Sequence, residues 1–561
     1  MKRMSGRAAA AVATVLAVGL VAAPGASAKG FAYIAGGSQA EGFTIGADGS
    51  LTPAVPPVAT GLAAIRGSAI SPDAKHLFIV DFGGKVASFN IGADGALTEA
   101  SGSPFTIPNN AFGVAAHGSR VYTSSEDGGN GKLAAFDLAP DGNLTEIPGS
   151  PFALGYQVQG IAVNPDGTRL YAIDATANTV HAYDISAGGA TEVGTAQVTG
   201  ANPKSVVVSP QGDFVFTTGG QSIRTFPVNP DGSLQPSIAN LASGLDLVTA
   251  ALTPDARFIY AAGFNTPGGI AAYAVAADGQ LSFAPGHPVA APDFVEAVDA
   301  SPGGMLYSAS FDVAASPYNS FAIGADGALT PVTNASATTI SQAEFQAVTV
   351  TPNQGPVAAL KAKKKGAKVT FDASGSSDPD GGTVASYQWD FGDGKTATST
   401  SPKQSHTYKK KGKFTATVTV TDDEGCSTTL VYTGQTADCA GSAAATASVK
   451  VNAKGGLKLK LSGKKTQKLG SKIALRAKCS AKCKVKATGS LFAGGQKFKV
   501  KGKTKLKAGK KGKLSLKVPA VARRVAASAL RRGGKVTVKV KATAKGGGAK
   551  AKAKRTVRLT G

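Results

Sequence analysis

The sequence predicts an all-β protein that opens in a seven-bladed propeller, and three observations carry that expectation. An Asp-Gly turn recurs at Asp48, Asp94, Asp141, Asp231, Asp278 and Asp326, with Gly188-Gly189 as a degenerate seventh. A second turn recurs independently at Pro72, Pro165, Pro210, Pro254, Pro302 and Pro352, with His117-Gly118 as its degenerate member. Between the turns run short apolar strands, clearest at residues 76–80, 86–91 and 97–98. Four short strands in a unit of about 45 residues make a propeller blade. The repeat begins in mid-unit at residues 31–35 and stops in mid-unit at residues 345–350. The last segment should therefore supply the innermost strand of the blade that the first begins, which removes free sheet edges.

Residues 1–28 stand outside this pattern. Lys2, Arg3 and Arg7 precede an apolar run over residues 8–22, and Pro24 and Ala26-Ser27-Ala28 follow. That order of charge, apolar core and small residues is a secretory signal, so an exported chain beginning at Lys29 is expected. The run is too short for a stable membrane span. No Cys follows it to carry a lipid, and no hydrophobic stretch closes the sequence. The product is expected to be soluble and monomeric, either extracellular or held in the cell envelope.

Residues 29–353 form the propeller. Its innermost strands should line a central tunnel, with the residues just before them facing the mouth. Six residues before each turn Pro, or before Gly118, stand Arg66, Phe112, Gln159, Lys204, Val248, Glu296 and Gln346. Ligand sites form at such convergent, concave places, so Arg66, Phe112, Gln159, Lys204, Glu296 and Gln346 are the candidate ligand-binding ring. Its only candidate catalytic set is Glu296 as a base, with Arg66 or Lys204 polarising a carbonyl. The repeated Asp-Gly aspartates are expected to shape hairpins rather than bind calcium.

The Pro-Asp turns, the Asp-Gly-x-Leu-Thr turns and the twin stretches Gly102-Ser103-Pro104-Phe105 and Gly149-Ser150-Pro151-Phe152 resemble the lactonase family of seven-bladed propellers, which includes 6-phosphogluconolactonase and carboxymuconate cyclase. The resemblance implies a His, carboxylate and Arg constellation at the mouth. This ring has the carboxylate and the Arg but no His, so blade and catalytic patterns part company.

A different domain is expected over residues 354–452. It reads Phe371-Asp372-Ala373-Ser374-Gly375-Ser376-Ser377-Asp378-Pro379-Asp380-Gly381, then Trp389-Asp390-Phe391-Gly392-Asp393-Gly394, then His406-Thr407-Tyr408 and a strand at residues 414–422. This run resembles the PKD domain, which implies an immunoglobulin-like β-sandwich of extracellular proteins. Phe414, Ala416, Val418 and Val420 alternate with threonines, the period of a half-buried strand. Trp389, sharing a face with Tyr387 and Phe391, is expected in the core. Some relatives bind calcium, which makes Asp378, Asp380 and Asp390 candidate ligands; their other reading is turn shaping. The sequence departs from the simple pattern by an insertion flanked by Cys426 and Cys439.

Residues 453–561 form a basic β-rich module. Lys plus Arg against Asp plus Glu is 9 against 26 over residues 30–352, 12 against 9 over residues 353–452, and 35 against none from residue 453 onward. Strands are expected at residues 457–461, 473–477, 514–518 and 536–540. A helix is expected at residues 519–532, with Val521, Val525 and Ala529 as its apolar stripe and Gly533 as its stop. Residues 545–554 read as a low-complexity tail.

In an exported protein the four cysteines should pair locally, Cys426 with Cys439 and Cys479 with Cys483. The second pair requires residues 480–482 to turn, because three extended residues cannot bring the sulfurs together.

Two functions fit these readings. One is a secreted or surface-associated binding protein, with the propeller recognising a glycan or protein, the PKD domain as spacer and the basic module holding extracellular polyanions such as acidic wall polymers or polysaccharide. The other is a secreted lactonase-like hydrolase. Neither needs a cofactor; calcium in the PKD domain is the one alternative.

Overall fold

The computed structural model describes residues 30–54, 56–126, 129–311, 318–334, 346–365, 367–454, 456–546 and 549–561. The signal and the cleavage expected before Lys29 lie outside the described residues.

Each propeller blade packs against two neighbours, so its strands must be apolar on both faces. The second strand of a unit is accordingly buried throughout, as in His76–Asp81, Phe258–Gly263 and Met305–Ser310. Innermost strands are Ile65–Ile70, Ala111–His117, Val158–Val163, Pro203–Val208, the second half of Ala239–Leu252, Val295–Ser301 and Gln346–Val350. Ala239–Leu252 serves two blades, pairing first with Phe214–Pro227 and then with Phe258–Gly263, so one sheet holds both. The ring closes as the phase of the repeat requires: Gln346–Val350 pairs antiparallel with Phe31–Gly36.

Neighbouring blades are clasped by tyrosines. The hydroxyls of Tyr33, Tyr171, Tyr260 and Tyr307 donate to the carbonyls of Gly95, Gly232, Gly327 and Gly49, each the glycine of an Asp-Gly turn in the next blade. The turn aspartates accept backbone N–H groups two residues on, as Asp48 does from Ser50 at 3.0 Å. Turn formation thus occupies them.

The next domain is a sandwich of two antiparallel sheets. One holds Lys361–Lys365, Lys368–Asp372 and Lys403–Thr407, the other Thr396–Ser399, Val384–Asp390, Lys411–Asp422 and Thr446–Lys454. Phe371, Tyr387, Trp389, Phe391, Val418 and Val420 meet between them. Trp389 is 2% exposed and its indole N–H donates to Ser399 Oγ, so it packs as expected.

The last module is one 8-stranded sheet with a helix against it. Strict alternation, as in Lys472–Cys479, sends apolar side chains to a common core and lysines to the other face. Two expectations need correction. The hairpin of Cys483–Ala493 with Gln496–Leu506 and the strand Ala549–Thr560 were not anticipated, the latter rising from the supposed low-complexity tail. Lys-Ala alternation has period two, and that suffices when a neighbour such as Val536–Gly546 supplies the pairing. The helix forms at Ala520–Arg531, but its buried residues are Ala522 and Ala526, while Val521 is 63% exposed. Small alanines let the helix lie close to the sheet; of the expected stripe, Val525 and Ala529 pack against the core and only Val521 faces away.

Both disulfides form inside their modules, with Cα atoms 5.7 Å apart for Cys426–Cys439 and 6.5 Å for Cys479–Cys483.

Candidate ligand-binding site

Arg66, Phe112, Gln159, Lys204, Val248, Glu296 and Gln346 all line one cavity of about 420 Å³ on the propeller axis. The inner strands that carry them approach closely. A Cβ at Gly160 would stand 2.5 Å from the Lys204 carbonyl, so only glycine can follow Gln159 there.

Glu296 is buried and its Oε2 accepts the Gln346 backbone N–H at 2.7 Å. Burial pushes its carboxyl up to about 7, against the opposing pull of that bond and of Arg66. The Arg66 guanidinium lies 5.2 Å from the Phe82 ring and 5.3 Å from the Phe112 ring. Burial depresses its pKa, while Glu296 and Glu126 hold it up. Gln159 Nε2 donates to Glu126 Oε1. The mouth therefore combines a cation seated on aromatic faces, a carboxyl that takes a proton near neutrality, and two buried amides. No histidine among the described residues lines it.

The tunnel does not run through. The insertion between Cys426 and Cys439 forms the short hairpin Leu430–Tyr432 with Ala437–Ala440, and its tip enters the tunnel from the end opposite the mouth. Four successive inner strands each grip one successive plug residue. The N–H groups of Ile70, Ala116, Val163 and Val208 donate to Thr436 Oγ1 and to the carbonyls of Gln435, Gly434 and Thr433, at 2.8 to 3.1 Å. Gln435 Nε2 returns hydrogen bonds to the Ile161 and Val206 carbonyls. Tyr432 is fully buried among propeller side chains, with its hydroxyl on the Ala116 carbonyl. The sandwich is thus no free spacer: it supplies the floor of a blind cup.

Thr433, Gln435, Thr436, Ala437 and Asp438 line the cup with Asp299, and sequence reasoning placed none of them there. The available signal was the insertion itself, whose residues 427–438 are uncharged but for Asp438.

The three aspartates considered for calcium are not brought together. Burial, then the neighbouring Asp380, Asp422 and Asp423, raise the Asp378 carboxyl well above the usual range, so Asp378 and Asp380 share one acidic corner. Asp390 sits at the far end of Val384–Asp390 from Val384, which pairs with Asp422, and its Oδ1 accepts the Gly392 N–H at 2.7 Å. Asp390 is a turn former, because its strand carries it away from that corner. Among the described residues no group of three or more His, Cys, Asp or Glu is arranged to hold a metal ion.

Comparison with known proteins agrees with this architecture in two places. A family model described as lactonase, 7-bladed beta-propeller, matches residues 149–246, and one described as PKD domain matches residues 352–436. No curated protein matches the chain. Among solved structures, a Bacteroides uniformis protein provisionally described as a 6-phosphogluconolactonase is 19% identical over 57% of this chain and 99% of its own, with a TM-score of 0.48. The Pseudomonas aeruginosa periplasmic gluconolactonase is 18% identical over 58% of this chain and 99% of its own, with a TM-score of 0.45. The PKD1 domain of Vibrio anguillarum Epp is 29% identical over 18% of this chain and 98% of its own, with a TM-score of 0.14. The chain carries a lactonase-like propeller and a PKD domain.

Proposed function

We propose that this is a secreted or envelope-associated recognition protein. Its propeller binds a glycan or protein ligand in the cup, its PKD domain floors and orients that cup, and its basic module holds extracellular polyanions such as acidic wall polymers or polysaccharide. The observation that carries this reading is the convergence of seven mouth residues on one blind cavity. Two disulfides suit an oxidising compartment, and among the described residues no helix is long and apolar enough to cross a membrane.

The outer sheet face supports the anchoring role. Strand register sets Lys554, Lys541, Lys501, Lys517 and Lys472 in one line across six strands, broken only by Thr488. Like charges directly opposite repel, and a polyanion laid along the line relieves them. The test is a glycan array read with the full chain, wild type beside Arg66→Ala. Retention of a glycan that Arg66→Ala loses is the expected result; an array blank except for salt-sensitive acidic polymers removes the mouth from the function.

One observation favours a second reading, a lactone hydrolase: Glu296 is a carboxyl brought to about 7 beside Arg66, where a general base is effective. Efficient lactone turnover by the full chain, lost in Glu296→Gln, would establish it.

A further inference from the structure

The floor of the cup is built in two ways. Beneath the inner strands from Ile65–Ile70 to Pro203–Val208, plug oxygens answer strand N–H groups one for one. Near Val295–Ser301 and Gln346–Val350 the plug presents a carboxyl instead, Asp438, on the same cavity as Asp299. Asp299 is fixed there by the N–H groups of Ala300 at 2.9 Å and Val350 at 2.8 Å. Asp438 is 6% exposed, and its Oδ2 has no hydrogen-bond partner among the described residues.

Burial, and then Asp299, push Asp438 well above the usual carboxylate range, while burial pushes Asp299 up to about 7. Two buried carboxyls facing one space keep a proton unless a cation sits with them. An ammonium group would replace that proton and restore both charges.

The walls point the same way. Gln159 Oε1 and Gln346 Oε1 belong to side chains 6% and 4% exposed, and neither oxygen has a partner among the described residues. Both amides line the cavity, so a ligand rich in hydroxyl donors would satisfy them. Phe112, Val248 and Val298 offer apolar surface between these acceptors, suited to the C–H faces of a sugar ring. The volume lies in the range of small-ligand sites.

We propose that the cup binds an amino sugar, its ammonium seated between Asp299 of the propeller and Asp438 of the plug and its hydroxyls donating to Gln159 and Gln346. This rests on the reading of the mouth as a recognition site and adds the chemistry of its ligand. The site is complete only when the insertion of the second domain is in place.

Isothermal titration of the full chain with glucosamine and with glucose at pH 7 tests it. Glucosamine is expected to bind at least tenfold more tightly and to release about one proton, seen as a heat that varies with the buffer's ionisation enthalpy. Asp438→Asn should abolish that preference. Because Asp438 lies in the plug strand Ala437–Ala440, Asp299→Asn makes the same measurement from the propeller side. Equal binding of the two sugars, or a preference that survives both substitutions, overturns the floor while the mouth reading stands. Binding of neither sugar also overturns the proposal, and the mouth reading falls with it only if the glycan array is blank as well.

Discussion

Single residues decide both the electrostatics of the cup and the fit of its plug. Glu296 has its folded pKa raised to about 7, above the roughly 4.3 of an unfolded glutamate. The folded state therefore binds its proton more tightly. The stability this contributes is fully present below about pH 4 and is lost as pH rises through 7. Glu296→Gln imitates the protonated form and should stabilise the propeller at pH 8, by about 1–3 kcal/mol at roughly 1.4 kcal/mol per pKa unit. Melting curves should show that gain vanish by pH 4; a gain independent of pH would mean another cause. Gly434 has φ of +128°, and a Cβ there would stand 2.6 Å from Ala162 Cβ. Gly434→Ala should cost about 1–3 kcal/mol of plug docking, measured as faster proteolysis within residues 427–438. Unchanged cleavage would show that the tip tolerates a side chain.

Two elements owe their form to more than their own residues. The plug hairpin is short and would be marginal alone; the Cys426–Cys439 bond closes a 13-residue separation at its base. Such closure contributes about 3 kcal/mol in the chain-entropy model. The double variant Cys426→Ser with Cys439→Ser should raise amide exchange at Gly434 and Gln435 far more than in the blades. The basic sheet shows the opposite dependence, since its lysine line has no acidic partner anywhere in residues 453–561. Its melting temperature should climb as salt rises from 10 to 200 mM, because screening at about a Debye length of 10 Å weakens the cross-strand repulsion. Heparin at micromolar concentration should produce the same rise at low salt, and should cease to bind when salt is high. A melt indifferent to both would leave the face a solvated surface.

At the scale of the whole molecule, the plug joins two domains that their sequences describe separately. Replacing residues 427–438 by a short Gly-Ser linker should open the tunnel, free the sandwich to move and enlarge the radius of gyration in small-angle scattering. An unchanged radius would place the docking elsewhere, for example in the Gln354 contact with the Pro72 carbonyl. The sequence by itself determined the blade count, the strand that closes the ring, the mouth residues, the sandwich core around Trp389 and the local pairing of the cysteines. Each of these follows from periodicity, from turn chemistry or from short separations along the chain, which are local properties. It also set the basic module's alternation, although the Ala-Lys repeat that opens Ala549–Thr560 offers no large apolar residue to mark a strand. Only the tertiary structure decided that the insertion enters the tunnel, that Asp438 shares a cavity with Asp299, that Asp390 stands apart from Asp378, and that Ala522 rather than Val521 faces the sheet. Those outcomes depend on which surfaces fit at close range: Tyr432 reaches Ala116 across 316 residues of chain, and no periodicity in either segment encodes so distant a match.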